Sequence, residues 1–126
     1  MKGTILVIDD SIMLRQILLR NLKAAGVVFD RTLEAGDGLE ALVHLRTEQV
    51  DLILCDVNMP NMTGIELLQQ IKLEKLAVGV PIVMVTTEGA EALVRQAILY
   101  GARGYVRKPF NAENIKNSVL PLLPRE

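Results

Sequence analysis

A chain of 126 residues, half of them hydrophobic, has the length of one domain and enough apolar material for one core, so a single domain spanning residues 1–126 is expected. Its 14 basic and 15 acidic residues leave a formal charge of −1, and with two Phe, two Tyr and no Trp there is neither bulk attraction for a polyanion nor a stacking platform for bases, so direct nucleic acid binding is not expected. The apolar runs are far shorter than a membrane span, Met1-Lys2-Gly3 leads into a strand with no signal-peptide core, and the lone Cys55 excludes a disulfide framework and a thiolate metal site, so the cytoplasm is the expected location.

Thr4 to Ile8 is a β-rich apolar run broken by Asp9-Asp10, and Ser11 occupies a helix N-cap position. Leu14, Ile17, Leu18, Leu22 and Ala25 then recur at helical spacing, with Gly26 as the stop. Val27 to Glu34 is a weaker strand, interrupted by Arg31 and Glu34 as an edge strand tolerates. Asp37 and Glu40, three residues apart, predict a capped short helix through Leu42 and Leu45 to about Thr47. Val50 to Asp56 is an apolar run without polar alternation, which predicts a strand covered on both faces that ends on a carboxylate before Met59-Pro60. Taken alone, Asp56 reads equally well as a turn cap or as a reactive acid.

Thr63-Gly64-Ile65-Glu66 fits a capping box opening a helix to about Leu76. Pro81 to Val85 is the fourth strand, ending at Thr86-Thr87, and Ala90, Leu93, Ala97 and Ile98 keep helical period before Gly101. Gly104-Tyr105-Val106 makes a fifth strand leading to Arg107-Lys108-Pro109, and Asn111 caps a last helix through Ile115 and Val119 that Pro121 stops or kinks and Pro124 keeps from resuming. Five strands alternating with five helices predict an α/β fold: a doubly wound, five-stranded parallel sheet of order 2-1-3-4-5, flavodoxin-like.

In that order the second strand is the outer edge, and it is the only strand whose exit carries no reactive group. Asp9 and Asp10 follow the first, Asp56 the third, Thr86 the fourth and Lys108 the fifth. Three carboxylates gathered at one edge repel one another unless a cation neutralises them. With only oxygen donors, and His44 stranded in a helix, the set suits Mg²⁺ or Mn²⁺ rather than zinc, and Mg²⁺ shared with carboxylates points to phosphate chemistry.

As a spaced set, Asp9-Asp10, Asp56 with the following Val57-Asn58-Met59-Pro60-Asn61-Met62-Thr63-Gly64, Thr86, and Lys108-Pro109-Phe110 resemble the receiver domain of two-component response regulators, and more narrowly its CheY-like single-domain members. The resemblance covers nearly the whole chain. It implies that Asp56 accepts a phosphoryl group from a histidine kinase or phosphotransfer protein and that Asp10, Asp56 and the Asn58 backbone carbonyl hold Mg²⁺, with Asp9 acting through water. It further implies that Lys108 pairs with a phosphoryl oxygen, that Thr86 donates to another, and that Tyr105 is the switch aromatic. The output face would be the fourth helix, fifth strand and fifth helix, acting on an unidentified output protein, with chemotaxis as the pathway the resemblance suggests.

The charges agree with these roles. Three carboxylates against a dication and one lysine are formally neutral, and replacing one carboxylate by a phosphoryl ester of about −2 leaves the site near −1, an excess that new donors must meet. A carboxylate is a poor nucleophile and needs a phosphoryl group already activated and charge-shielded. The main rival is a Mg²⁺-dependent aspartyl-phosphate phosphatase or phosphotransferase of the haloacid dehalogenase type, but its acids stand two residues apart and here they are adjacent. A second rival is an interaction module that is never phosphorylated. No turnover of an external substrate is expected, and a stand-alone monomer is expected, with a dimer as the alternative. His44 reads as a surface or partly packed histidine, Cys55 as core, and Arg103 and Arg107 as solvated, or on a partner face that meets an acidic peptide.

Overall fold

The structure, a computed structural model, describes residues 3–87 and 91–123. Five parallel strands, β1 (Thr4–Ile8), β2 (Arg31–Ala35), β3 (Leu52–Asp56), β4 (Ile82–Thr87) and β5 (Gly104–Lys108), form one sheet in the order β2-β1-β3-β4-β5. They alternate with α1 (Ile12–Ala24), α2 (Gly38–Thr47), α3 (Gly64–Leu73), α4 (Glu91–Leu99) and α5 (Ala112–Val119). The doubly wound α/β fold and its strand order are those the sequence predicts.

The period-2 pleat of the strands divides the core. Ile5 and Val7 of β1, Leu52 and Leu54 of β3, Val83 and Val85 of β4, and Val106 of β5 pack against Leu18 and Leu22 of α1 and Ile115 and Val119 of α5. The intervening Leu6, Ile8, Ile53, Cys55, Ile82 and Met84 pack against α2, α3 and α4 through Leu42, Leu45, Leu68, Ile71 and Ala97. All five residues of β3 are buried, as a strand covered on both faces requires.

The caps are local chemistry. Ser11 accepts from the Leu14 N–H at 3.2 Å and Asp37 from the Glu40 N–H at 2.9 Å. Thr63 and Glu66 close the full capping box, and Asn111 and Asn114 close one for α5. Glu40 reaches one residue further than a capping box requires, its carboxylate accepting from the Gly36 N–H at 2.7 Å. At the far end of α1, Gly26 takes φ +82° and the Val27 N–H returns to the Leu22 carbonyl, the Schellman closure that Gly favours.

Several boundaries differ from expectation. β2 begins at Arg31 rather than Val27, because Val27 closes α1 and packs beneath it. α3 ends at Leu73, not Leu76: Lys75 takes φ +56° and the Leu76 N–H donates to the Ile71 carbonyl, the same closure with a lysine where glycine is usual. Thr86 and Thr87 lie within β4 rather than beyond it. Pro121 sits in a 3-10 turn, Leu120–Leu122, that follows the end of α5. Met1, Lys2, Ala90 and Pro124 lie outside the described residues.

Gly64 brings α3 up to the sheet. A Cβ there would stand 2.6 Å from the Asp56 carbonyl oxygen and 3.0 Å from the Val57 Cα, so only hydrogen fits, and the Gly64 N–H donates to the Val57 carbonyl at 2.9 Å. Between α2 and the end of α3, Arg46 grips Glu74 with two nitrogens at 2.8 and 2.6 Å, and the Gln70 amide adds a third donor at 2.6 Å. The Arg46 and Gln70 hydrogen bonds hold the Glu74 carboxyl down at about 2 against an ordinary 4.5. A carboxylate depressed in the folded state contributes stability that is present above its ordinary value and is lost as pH falls toward 2. The Glu74→Gln variant is therefore expected to have a lower urea midpoint than the parent at pH 7, with the gap closing as pH drops through that window. Exposure of the pair keeps the difference small, and parallel curves at all pH values would show that the pair contributes nothing.

Candidate functional site

Three charged side chains converge at the carboxyl ends of β1, β3 and β5. Asp9, Asp56 and Lys108 each follow by two residues an aliphatic side chain, Val7, Leu54 or Val106, that packs toward α1 and α5. One further step of the pleat therefore sends all three to the same side of the sheet. Lys108 Nζ lies 3.6 Å from Asp9 Oδ2 and 3.5 Å from Asp56 Oδ2, so one ammonium serves two carboxylates.

Asp9 is 0% exposed. Its backbone N–H donates to the Ala35 carbonyl at 3.1 Å, and its Oδ1 accepts from the Ser11 N–H at 2.9 Å. Its Oδ2 is buried without a hydrogen-bond partner among the described residues. Asp56 is also buried, and its Oδ1 accepts from the Asn58 N–H at 3.2 Å. Burial pushes the Asp56 carboxyl above its usual range; Lys108 and the Asn58 N–H pull it back, and the charge of Asp9 adds to the rise. Asp10 is exposed at the mouth, and Asp9, Asp10 and Asp56 each offer a carboxylate oxygen within 4.8 Å of the others. An orphaned, buried carboxylate oxygen beside two further oxygen donors, with no nitrogen or sulfur ligand in the group, fits a hard divalent cation.

Thr86 is buried, but its hydroxyl donates to the neighbouring Thr87 carbonyl at 3.2 Å rather than joining the carboxylates. It stands two residues after Met84, which packs toward α2, α3 and α4, and so lies on the other side of the pleat. There it lines a cavity of about 220 Å³ between α4 and β5, with Val94, Ile98 and Tyr105 among the other walls. Tyr105 is 43% exposed at that cavity. The predicted residues thus divide into a charged cluster, Asp9, Asp10, Asp56 and Lys108, and a Thr86–Tyr105 pair beside a cavity; Asn58, predicted to offer its carbonyl, meets Asp56 through its N–H.

The residues set aside behave as structure. His44 Nε2 lies 3.0 Å from the Glu34 carbonyl, and Arg103 donates to the Gly79 carbonyl at 3.1 Å. Arg107 makes an exposed 3.5 Å pair with Glu91. Burial, reinforced by the charges of Asp56 and Asp9, pushes the Cys55 thiol up, which keeps it protonated and inert. Arg15 was not among the residues singled out, yet its guanidinium donates to the Asp9 carbonyl at 2.6 Å.

The family model described as "Response regulator receiver domain" matches residues 5–120, and the chain belongs to that family. "Chemotaxis protein CheY homolog" of Campylobacter jejuni is 39% identical over 120 residues, 94% of this chain and 91% of that protein. "Chemotaxis protein CheY" of Pseudomonas aeruginosa is 36% identical over 121 residues, 96% of each chain. Among solved structures, the chemotaxis response regulator CheY4 of Vibrio cholerae superposes with a TM-score of 0.84 at 34% identity, covering 98% of this chain and 100% of that one. The chain is accordingly a CheY-like phosphoacceptor response regulator, and the haloacid dehalogenase alternative finds no support in these matches.

Lys108 is the cation that makes the buried acids tolerable, so its loss leaves them facing each other uncompensated. Lys108→Met is expected to lower the stability of the metal-free protein by about 1–3 kcal/mol. Added MgCl₂ should then raise its urea midpoint more than it raises that of the parent, because cation binding relieves a larger repulsion. Equal Mg²⁺-induced shifts in the two proteins would show that Lys108 does not offset these acids.

Proposed function

We propose that Asp56 is the phosphoacceptor. A carboxylate oxygen attacks the phosphorus of a phosphohistidine on a histidine kinase or phosphotransfer protein, the N–P bond breaks with its electron pair leaving on the imidazole, and an acyl phosphate forms on Asp56. The observation that carries this reading is the buried meeting of Asp56, Asp9 and Lys108, with Asp9 Oδ2 left without a hydrogen-bond donor among the described residues. Asp10, Asp56 and the Asn58 carbonyl would hold Mg²⁺, with Asp9 acting through water; Mn²⁺ has the same donor preference. When bound, the cation shields the charge of the incoming phosphoryl group. Lys108, 19% exposed, stands where it can donate to a phosphoryl oxygen on Asp56 while staying paired with Asp9.

The added negative charge is the signal. In this reading the Thr86 hydroxyl leaves the Thr87 carbonyl and donates to the phosphoryl group, exchanging a neutral hydrogen bond for a charge-assisted one. Tyr105 then turns into the space between α4 and β5. The α4, β5 and α5 face, with Ile98, Leu99 and Tyr105 exposed, is the output surface for a partner protein. The role in chemotaxis that the relatives' names carry extends to this chain as part of the proposal, which also has the chain act in the cytoplasm and signal as a single receiver domain without turnover of an external substrate. No helix among the described residues is long and apolar enough to cross a membrane.

Acetyl phosphate with MgCl₂ tests the acceptor. Intact mass should show a gain of about 80 Da, one phosphoryl unit, on the parent and none on Asp56→Asn. The same adduct on the variant would move the acceptor elsewhere. Thr86→Ala is expected to take up the phosphoryl group yet fail to switch. Hydrogen exchange over residues 91–108 should change on phosphorylation of the parent and stay constant in the variant, and matching changes in both would remove Thr86 from the switch.

A further inference from the structure

The Ser11 N–H and the Lys108 ammonium face the Asp9 side chain, but the exposed Asp10 depends on the peptide that carries it, and that peptide is held from an unexpected direction. Arg15, in the second turn of α1, has a side chain only 13% exposed. Its Nη1 donates to the Asp9 carbonyl at 2.6 Å and its Nε to Glu34 Oε1 at 2.9 Å. Glu34 is itself fixed: it lies in β2 opposite Val7, its carbonyl lies 3.0 Å from His44 Nε2 of α2, and Gln16 Nε2 lies 3.5 Å from its carboxylate. A carbonyl only accepts, so the His44 Nε2 carries the proton. The result is a tether running from α2 and β2 through one guanidinium to the carbonyl that joins Asp9 to Asp10.

We propose that Arg15 is a positioning residue for the acid pair: locked by Glu34, its guanidinium holds the Asp9 carbonyl and so sets the direction in which Asp10 is presented to a divalent cation. The proposal rests on the metal-site reading given above. Its sign separates it from simple electrostatics. A cation near a metal site repels the incoming ion, so deleting its charge tightens binding; deleting a geometric tether loosens it, as loss of a ligand-orienting partner commonly does. A planar fork that grips two acceptors at once is also what lysine cannot reproduce.

The test titrates Mg²⁺ alone into metal-free parent, Arg15→Met, Arg15→Lys and Glu34→Gln by calorimetry, with the Tm of each metal-free protein and the Mg²⁺ dependence of phosphorylation by acetyl phosphate. Arg15→Met is expected to raise the Mg²⁺ Kd about tenfold. Arg15→Lys, which keeps the charge but not the fork, should raise it nearly as far, and Glu34→Gln should raise it less. The Mg²⁺ concentration for half-maximal phosphorylation should move with Kd, while the rate at saturating Mg²⁺ stays at the parent's value. An unchanged or lowered Kd in Arg15→Met, with or without a fall in Tm, overturns the proposal while leaving the metal site standing. A parent that binds no Mg²⁺ overturns the site reading and this inference with it. Should Arg15→Met fail to fold, the same comparison is made on Arg15→Lys and Glu34→Gln, where parental affinity in both overturns it.

Discussion

The sharing of one ammonium between two buried carboxylates is the constraint on which the rest of this molecule turns. At 3.5 Å and an effective dielectric of about 20, an ion pair is worth about 4–5 kcal/mol before desolvation is charged against it. Lys108 meets Asp9 and Asp56 at nearly equal distances, so the attraction is divided and neither acid receives a short, saturating bond. Asp9 Oδ2 has no hydrogen-bond donor among the described residues, and the Asp56 carboxyl is pushed upward by burial. Such a cluster is under-compensated in its resting form, and its remedy, a divalent cation, is the one the proposed reaction requires.

The scaffold makes this possible by spending its apolar residues on rigidity. β1, β3 and β4 are aliphatic on both faces, so the ends of these strands cannot shift without opening two cores at once. Gly64 lets α3 start against the backbone of Asp56 and Val57, and the Ser11 N–H and Asp9 Oδ1 close the turn at the end of β1. Arg15 adds a side-chain tether to the Asp9 carbonyl in that turn. The acids are held by structure that predates any ligand, which is how a carboxylate can be kept at a position where its solvation is poor.

Most of this was legible in the sequence because it is written in short-range chemistry. The apolar runs at Thr4–Ile8 and Leu52–Asp56, the Ser11, Thr63 and Asn111 caps, and an acid or a lysine at the ends of three strands each need only a few neighbouring residues to be read. What escaped was of two kinds. Lys75 closing α3 in a left-handed conformation gives no composition signal, since the usual marker there is glycine. Arg15 was invisible because its partners, Asp9 and Glu34, come from a turn and an edge strand whose proximity exists only after the sheet has formed. The placement of Thr86 was a different case. The pleat counted from Met84 puts it opposite the acids, so its side is written in the register of β4, whereas its place at the strand's end carries no information about side.

That opposition gives the two halves of the site their relation. Asp9, Asp56 and Lys108 lie on the side of the pleat that faces α1 and α5, and Thr86 and Tyr105 on the side that faces α4. In the proposed switch, a signal generated on one side reaches the other by drawing a side chain around the end of β4. The Thr86 hydroxyl suits that task because its present partner, the adjacent Thr87 carbonyl at 3.2 Å, is a local and neutral acceptor. Exchanging it for an anionic one gains on the order of 1 kcal/mol, roughly the difference between neutral and charge-assisted hydrogen bonds. A difference of that size shifts a two-state population several-fold without locking it, so the output of such a switch is graded by how much of the protein is phosphorylated and reverses when the acyl phosphate is lost.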